Sequence, residues 1–145
     1  MELNQQIHKN IYIEATPSKV WAALTRPGLM QQWMSETEID IITSWKVGSP
    51  FVIRGALYKK GFENKGLVLA FEPDRHIAYS HLSSLSRLPD EPESYTVIDF
   101  KLKTVEGGTM LNLNLSNFPT ETIYKHLAFY WNGTLHILKK FVEAL

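Results

Sequence analysis

The chain of 145 residues has room for one domain, and we expect a single domain over residues 1–145. Lys and Arg number 15 and are balanced by 15 Asp and Glu, which argues against nucleic acid or an anionic membrane as the main partner. The absence of cysteine excludes disulfides, a thiolate nucleophile and zinc sites that need sulfur. The polar amino terminus and the lack of a long apolar run predict a cytoplasmic protein with no membrane insertion.

The first elements are a strand and two short helices. Isoleucines alternate with polar residues through residues 6–14, which predicts a half-buried strand. A helix is expected directly afterwards, because Thr16 is a favourable N-cap and Pro17 suits the first helical position. Pro27 ends this helix, and a second short helix is predicted at 29–34.

From residue 37 onward the apolar residues recur with a period of two. This pattern predicts strands at 37–42, 51–57, 67–71, 77–82, 95–102 and 109–115. The separators Lys60-Gly61, Pro73-Asp74 and Gly107-Gly108 are typical of turns, so the sheet is predicted to be antiparallel. The longest predicted loop, 83–93, is either a solvated connection or a mobile lid.

The last segment, 119–145, returns to the helical period. Its apolar side chains fall within an arc of roughly 120°, which predicts one long amphipathic helix. A sheet of about seven strands has to cover its apolar face, and this helix has the matching stripe. The predicted class is therefore α+β, with a curved antiparallel sheet wrapped around the C-terminal helix.

Several segments resemble the helix-grip superfamily of START-like domains (SRPBCC, Bet v 1-like). They are IYIEATPSKVWAALTRPGLMQQWM, SWKVGSPFVIRG, GLVLAFEPDRHIAYSH, GGTMLNL and YWNGTLHILKKFVEAL, which together run from about Ile11 to Leu145. The superfamily includes lipid-transfer domains, polyketide cyclases and the major birch pollen allergen, and the chain is most similar to the family of the activator of heat shock protein 90 ATPase. The resemblance implies a helix-grip fold with a cavity whose contents it does not name.

The histidines do not form a predicted metal site. His76 and His81 are five positions apart on a strand and so point to opposite faces, while His126 and His136 are about 15 Å apart along a helix. The sequence also lacks a Gly-x-Ser-x-Gly elbow and a phosphate-binding loop. We therefore expect no metal, no cofactor and no assignable catalytic residue.

The candidate ligand-binding residues are those expected to face the helix or the cavity opening. They are Trp33, Phe51, Ile53, Tyr79, His81, Ile98, Phe100, Leu111, Leu113, Tyr130 and Thr134. Tyr79 and His81 share one face of their strand and could orient a polar group of a ligand. Tyr130 and Thr134 are one turn apart on the helix, and Trp33 could belong to a gate. The competing interpretation is that these are core side chains whose polar atoms are paired within the protein.

Three functions follow from these observations. We expect first the binding of a small hydrophobic molecule, such as a lipid, sterol-like or polyketide compound, by a carrier or sensor. The first alternative is a cyclase or dehydratase-like enzyme in which His81, Tyr79 or Tyr130 moves protons. The second, implied only by the resemblance, is a co-chaperone-like regulator of a heat shock protein 90 type ATPase. We expect this role least, because the eukaryotic activators carry a separate amino-terminal region that this sequence lacks. The sequence is compatible with a homodimer as well as with a monomer.

Overall fold

The computed structural model describes residues 5–57 and 59–145. The elements are β1 (Ile7–Ile13), α1 (Pro17–Thr25), α2 (Pro27–Met34), β2 (Ile39–Thr43), β3 (Pro50–Leu57), β4 (Lys60–Glu72), β5 (His76–Ser83), β6 (Thr96–Val105), β7 (Gly108–Ser116) and α3 (Glu121–Glu143). Two 3-10 turns, Ser84–Ser86 and Pro92–Ser94, lie between β5 and β6. The predicted α+β helix-grip architecture, with two short helices after the first strand, is confirmed. None of the helices in these residues has both the length and the apolar character needed to cross a membrane.

The sheet has 7 strands in the order β1-β7-β6-β5-β4-β3-β2. Each pair of neighbours is antiparallel, and all pairs except β1 with β7 join strands that follow one another in the chain. Helix α3 buries the apolar stripe predicted for it, and its buried residues are Leu127, Trp131, Thr134, Leu135, Leu138 and Val142. The sheet and α3 thus share one core, because each has a single apolar face to cover.

Strand β4 begins earlier than the sequence predicted. The predicted turn at Lys60-Gly61 is wrong, since Lys60 pairs with Leu57 and Gly61 pairs with Ala56 across β3. The chain turns before them, with Lys59 in the left-handed region at a φ of 66°. Residues 60–66 are mostly polar and show no alternation, so the period of the side chains could not reveal that this stretch pairs with the neighbouring strands.

A close approach and a bulge shape the centre of the sheet. A Cβ atom at Gly66 would collide with the Ser80 carbonyl, so the two strands meet here only because residue 66 is glycine. The register between β4 and β5 then shifts between Val68 and Ala70. Such a bulge increases the local twist and bends the strand, which favours the curvature that lets the sheet enclose α3.

Tryptophans fix the short helices against this core. The Nε1 of Trp33 donates to the Ala23 carbonyl over 2.8 Å, and the Nε1 of Trp45 donates to the Thr25 carbonyl over 2.7 Å. Both rings are held in place by these bonds as well as by packing. Trp33 in turn lies 6.3 Å from Trp131 between ring centroids, which joins α2 to α3.

Candidate ligand-binding cavity

An open cavity of about 570 Å³ lies between the sheet and the amino-terminal half of α3. Its apolar lining comes from Met34, Ile39, Ile53, Phe62, Leu82, Leu85, Ile98, Ile123, Leu127 and Trp131. Its polar lining comes from Ser35, Thr37, Asn64, Tyr79, His81, Ser83, Ser86, Ser94, Thr96, Thr122, His126 and Tyr130. Exposed side chains such as Thr37, Leu85 and His126 mark the opening. The volume is typical of sites for small organic ligands.

The inner wall is built by the register of the central strands. Tyr79 of β5 lies directly opposite Ile98 of β6, and His81 lies opposite Thr96. Because side chains alternate along a strand, each pair places two neighbouring side chains on the concave face. The next part of the wall follows the same rule on β3 and β4, where Asn64 is paired with Ile53.

Helix α3 closes the cavity with residues at helical spacing. Ile123, Leu127 and Trp131 are each four positions apart and therefore share one face. The Tyr130 hydroxyl donates to the Met34 carbonyl over 2.7 Å, so it ties α3 to the end of α2. Burial raises the pKa of Tyr130 to about 12. This hydroxyl is therefore a structural donor that stays protonated at neutral pH.

His81 is held neutral inside the cavity. Burial and, to a smaller extent, the proximity of His126 together lower its pKa to about 4. Burial also raises the pKa of Tyr79, whose ring stacks on Phe51 with a centroid distance of 4.3 Å. At pH 7 neither group changes its protonation state readily, which makes both of them poor proton carriers.

Two buried polar atoms of residues that line the cavity have no hydrogen-bond partner among the described residues. They are the Nε1 of Trp131 and the Oδ1 of Asn64. Buried polar atoms are nearly always paired in folded proteins, because desolvation without a partner is costly. The contrast with Trp33 is direct, since the indole of that residue is bonded to a carbonyl.

Five of the residues singled out from the sequence meet at this cavity: Ile53, Tyr79, His81, Ile98 and Tyr130. The other six lie outside its lining, in the packed core: Trp33, Phe51, Phe100, Leu111, Leu113 and Thr134. The reason is that the open space occupies only one end of the region between sheet and helix. An inward-facing side chain at the other end contacts the core and not the cavity.

Trp33 does not lie at the opening. It is 3% exposed, and its indole is bonded to α1, so α2 presents Met34 to the cavity instead. The loop between β5 and β6 does reach the opening, through Leu85 and Ser86.

That loop is fastened to the sheet by ion pairing and hydrogen bonding. The Nζ of Lys65 lies 2.6 Å from the Oδ2 of Asp90, and the Oδ1 of the same carboxylate accepts a hydrogen bond from the Tyr95 hydroxyl at 2.5 Å. The predicted loop thus forms part of the cavity rim.

Sequence reasoning missed several lining residues. Leu127 and Trp131 belong to the apolar stripe predicted for the last helix, but the sequence does not show that this part of the stripe lines a cavity. Asn64 carried no signal, since the beginning of its strand was not predicted. Among the residues that the structure describes, no three acidic or histidine side chains are grouped as a metal site would require.

The sequence also matches a family model. The model for "Activator of Hsp90 ATPase homolog 1-like protein" matches residues 14–143. The chain belongs to this family. No curated protein matches its sequence significantly.

Members of the same fold are found among solved structures. The solution structure of ChR145 from Cytophaga hutchinsonii is 35% identical, with a TM-score of 0.83, and the match covers 99% of this chain and 97% of that one. The Aha1 dimer from Colwellia psychrerythraea is 26% identical, with a TM-score of 0.73 and coverage of 96% of both chains. MLL2253 from Mesorhizobium loti, at 22% identity, covers 97% of this chain and 98% of its own with a TM-score of 0.77, and shows the shared fold alone.

Proposed function

We propose that this Activator of Hsp90 ATPase homolog 1-like protein binds a small, largely apolar molecule between its sheet and α3, as a carrier or sensor. The observation that carries the proposal is the cavity of about 570 Å³ between the sheet and the amino-terminal half of α3. Burying about 300 Å² of ligand surface at about 25 cal/mol/Å² supplies roughly 7.5 kcal/mol before ordering costs, so micromolar or weaker affinity is expected.

The chemistry of the lining favours binding over proton-transfer catalysis. A general base works best with a pKa near the working pH, whereas the pKa of His81 is lowered to about 4. Burial raises the pKa values of Tyr79 and of the partly buried Tyr130, so neither is an easily ionised acid or base. A pocket with these groups can hold and orient a ligand without transferring a proton to or from it.

A fluorescent probe tests the proposal directly. N-phenyl-1-naphthylamine is uncharged, apolar and emits strongly only when it is removed from water. We expect saturable binding to the wild-type protein, and Thr96→Trp should weaken this binding about tenfold or more, because Thr96 is a buried residue of the cavity lining.

The matched control is Thr104→Trp, an exposed position on the same strand. It should leave the affinity unchanged. Probe binding that both substitutions leave unaltered would place the probe elsewhere, and no saturable binding at all would contradict the function.

A specific surface also supports self-association, as in the Colwellia relative. Phe129 on α3 is 85% exposed and Ile137 is 51% exposed, with Gly133 midway between them and open space beside its backbone. These residues are one turn apart from each other and share a face. If two α3 helices cross antiparallel at Gly133, each Phe129 meets the partner's Ile137, so the face is self-complementary as a two-fold dimer requires.

We propose that a second copy of the chain covers this face. Analytical ultracentrifugation up to about 300 µM should detect a weak dimer, since one helix per protomer makes a small interface. Phe129→Glu should abolish it, whereas Asn132→Glu, on the same helix but away from this face, should not. A dimer that survives Phe129→Glu would rule out this interface.

A further inference from the structure

We propose that the ligand is an amphiphile that enters the cavity tail first, with its apolar tail at the closed end beside Trp131 and an uncharged, hydrogen-bonding head at the opening. This inference rests on the proposed binding function and adds the chemical class and the orientation of the ligand. Two observations carry it. The lining changes from polar to apolar with depth, and within the described residues it contains no Lys, Arg, Asp or Glu.

Strands β5 and β6 define the depth of the cavity. Successive inward-facing pairs of these strands lie progressively further from the opening, in the order His81 with Thr96, Tyr79 with Ile98, and Ile77 with Phe100. The first two pairs line the cavity, whereas the third belongs to the packed core. The opening lies at the other end of β5, where Leu85 of the following loop is exposed. The cavity therefore closes at the level of Tyr79 and Ile98.

Helix α3 runs in the same direction. Thr122 and His126, in its first two turns, are exposed members of the lining. Leu127 is 5% exposed and Trp131 is 2% exposed, and the ring of Trp131 lies 5.5 Å from that of Phe100 between centroids. Since a helix rises about 1.5 Å per residue, Thr122 and Trp131 are about 13 Å apart along the axis. The cavity thus extends along the start of α3 and ends beside Trp131.

The polarity of the lining follows this depth. Hydroxyl and imidazole side chains that are exposed or half-buried surround the opening: Thr37, Ser83, Ser86, Thr122 and His126. Most of the fully buried lining residues are apolar: Ile39, Ile53, Leu82, Ile98, Leu127 and Trp131. An amphiphile in the reverse orientation would leave its tail beside water and bury its head in largely apolar surroundings, and both are unfavourable.

The charges around the opening favour an uncharged head. Lys65 and Asp90, which fasten the loop at the rim, are paired with each other at 2.6 Å. His81 is neutral at pH 7, mainly because burial lowers its pKa to about 4. An ionised head would lose part of its hydration at the opening without gaining a carboxylate, ammonium or guanidinium partner in the lining. A hydroxyl, ester or amide head exchanges water for hydrogen bonds with the surrounding hydroxyl groups.

Ligands with one decyl chain and different heads test the choice of head. They are 1-decanol, decanoate and decyltrimethylammonium, each used below its micelle concentration. Displacement of bound N-phenyl-1-naphthylamine at pH 7 gives their affinities. We expect 1-decanol to bind about tenfold or more tightly than either ion, because the three tails bury similar apolar area and only the heads differ in the cost of desolvation.

A substitution at the opening should change this preference. Thr122→Lys places a cation beside the head, so the affinity for decanoate relative to 1-decanol should rise about threefold or more. The control His136→Lys adds the same charge at an exposed position of α3 outside the lining and should leave the ratio unchanged. Because each variant is judged by a ratio between two ligands with the same tail, a general loss of affinity cancels.

Brominated ligands test the orientation. Bromine quenches tryptophan fluorescence only at short range, and of the 4 tryptophans, all of which the structure describes, Trp131 alone belongs to the lining. At saturation, 10-bromo-1-decanol, with bromine at the end of the tail, should quench the wild type at least about twice as strongly as 2-bromo-1-decanol, with bromine beside the head. Trp131→Phe should reduce this difference, whereas Trp21→Phe, outside the lining, should keep it.

The possible failures are distinguishable. If N-phenyl-1-naphthylamine itself does not bind, the binding function is contradicted and the inference falls with it. If it binds but no decyl compound displaces it, the function stands and the amphiphilic ligand is refuted. Tightest binding by decanoate or decyltrimethylammonium would overturn the uncharged head. Equal or stronger quenching of the wild type by 2-bromo-1-decanol would overturn the orientation, and this result does not depend on whether Trp131→Phe folds.

Discussion

The two halves of α3 meet the same sheet in different ways. The carboxyl-terminal half is packed and bonded to its surroundings: the Nζ of Lys139 donates to the Tyr12 carbonyl over 2.7 Å, and a Glu143 carboxylate oxygen accepts the Glu14 amide at 2.7 Å. The amino-terminal half borders the cavity, and the hydroxyl of its Tyr130 donates to the Met34 carbonyl at the end of α2. One amphipathic helix therefore provides both a structural anchor and one wall of a cavity.

The comparison teaches that an inward-facing side chain has two possible environments in this fold. Leu138 and Val142 are completely buried and lie outside the cavity lining, while Leu127, a member of the same core cluster, also lines the cavity. Protein interiors are normally packed to the density of crystals, so an unfilled end is costly to keep unless something else occupies it. This cost is the physical reason for assigning the function to the open half.

The largest expected effect comes from deleting core volume in the packed half. Leu138→Ala should lower the free energy of unfolding by about 2–5 kcal/mol, because it removes buried apolar surface and leaves a new void. Leu127→Ala should cost clearly less, since its side chain already borders empty space. Urea denaturation of both variants measures the difference, and equal losses would contradict the division of α3 into a packed and an open half.

The second effect is a pH dependence of the free energy of unfolding, and it comes from His81 in the lining of the cavity. His81 has a folded-state pKa of about 4, below the usual value of 6.5, so it contributes stability above pH 6.5 that is lost as the pH falls toward 4. Over this window the wild type should lose up to about 3 kcal/mol relative to His81→Gln.

Denaturation curves at pH 7, 6 and 5 check the slope. The control His136→Gln replaces an exposed histidine on the outer face of α3 and should keep the slope of the wild type. If His81→Gln has the same pH dependence as the wild type, His81 is not held neutral by its surroundings.

The smallest effect is expected for the hydrogen bond that joins Tyr130 of α3 to the end of α2. Tyr130→Phe removes the donor to the Met34 carbonyl and should lower the free energy of unfolding by about 1 kcal/mol. Faster hydrogen exchange at the end of α2 should accompany this loss, because α2 is then less firmly attached to α3. Unchanged exchange there would show that packing alone holds α2.

Much of the fold could be predicted because local patterns and the global arrangement agree. Thr16 and Thr120 accept hydrogen bonds from the backbone amides of Lys19 and Ile123, so each helix begins where its capping residue stands. The alternation of β7 and the stripe of α3 identify their buried faces without any knowledge of the tertiary structure. The prediction failed at Lys60-Gly61 because the residues there are polar and show no alternation. Only their pairing with a neighbouring strand makes them part of the sheet.

The sequence by itself determined the order of the elements, the antiparallel sheet, the single long helix at the end and the residue types that face inward. It did so because periodicity and capping act over a few residues. The tertiary structure alone decided which inward residues pack and which border a cavity, and that the pKa of His81 is lowered by burial and by His126. It also decided that the Nε1 of Trp131 and the Oδ1 of Asn64 have no hydrogen-bond partner among the described residues. These properties depend on neighbours that are distant in the chain, and no local pattern of residues encodes those distances.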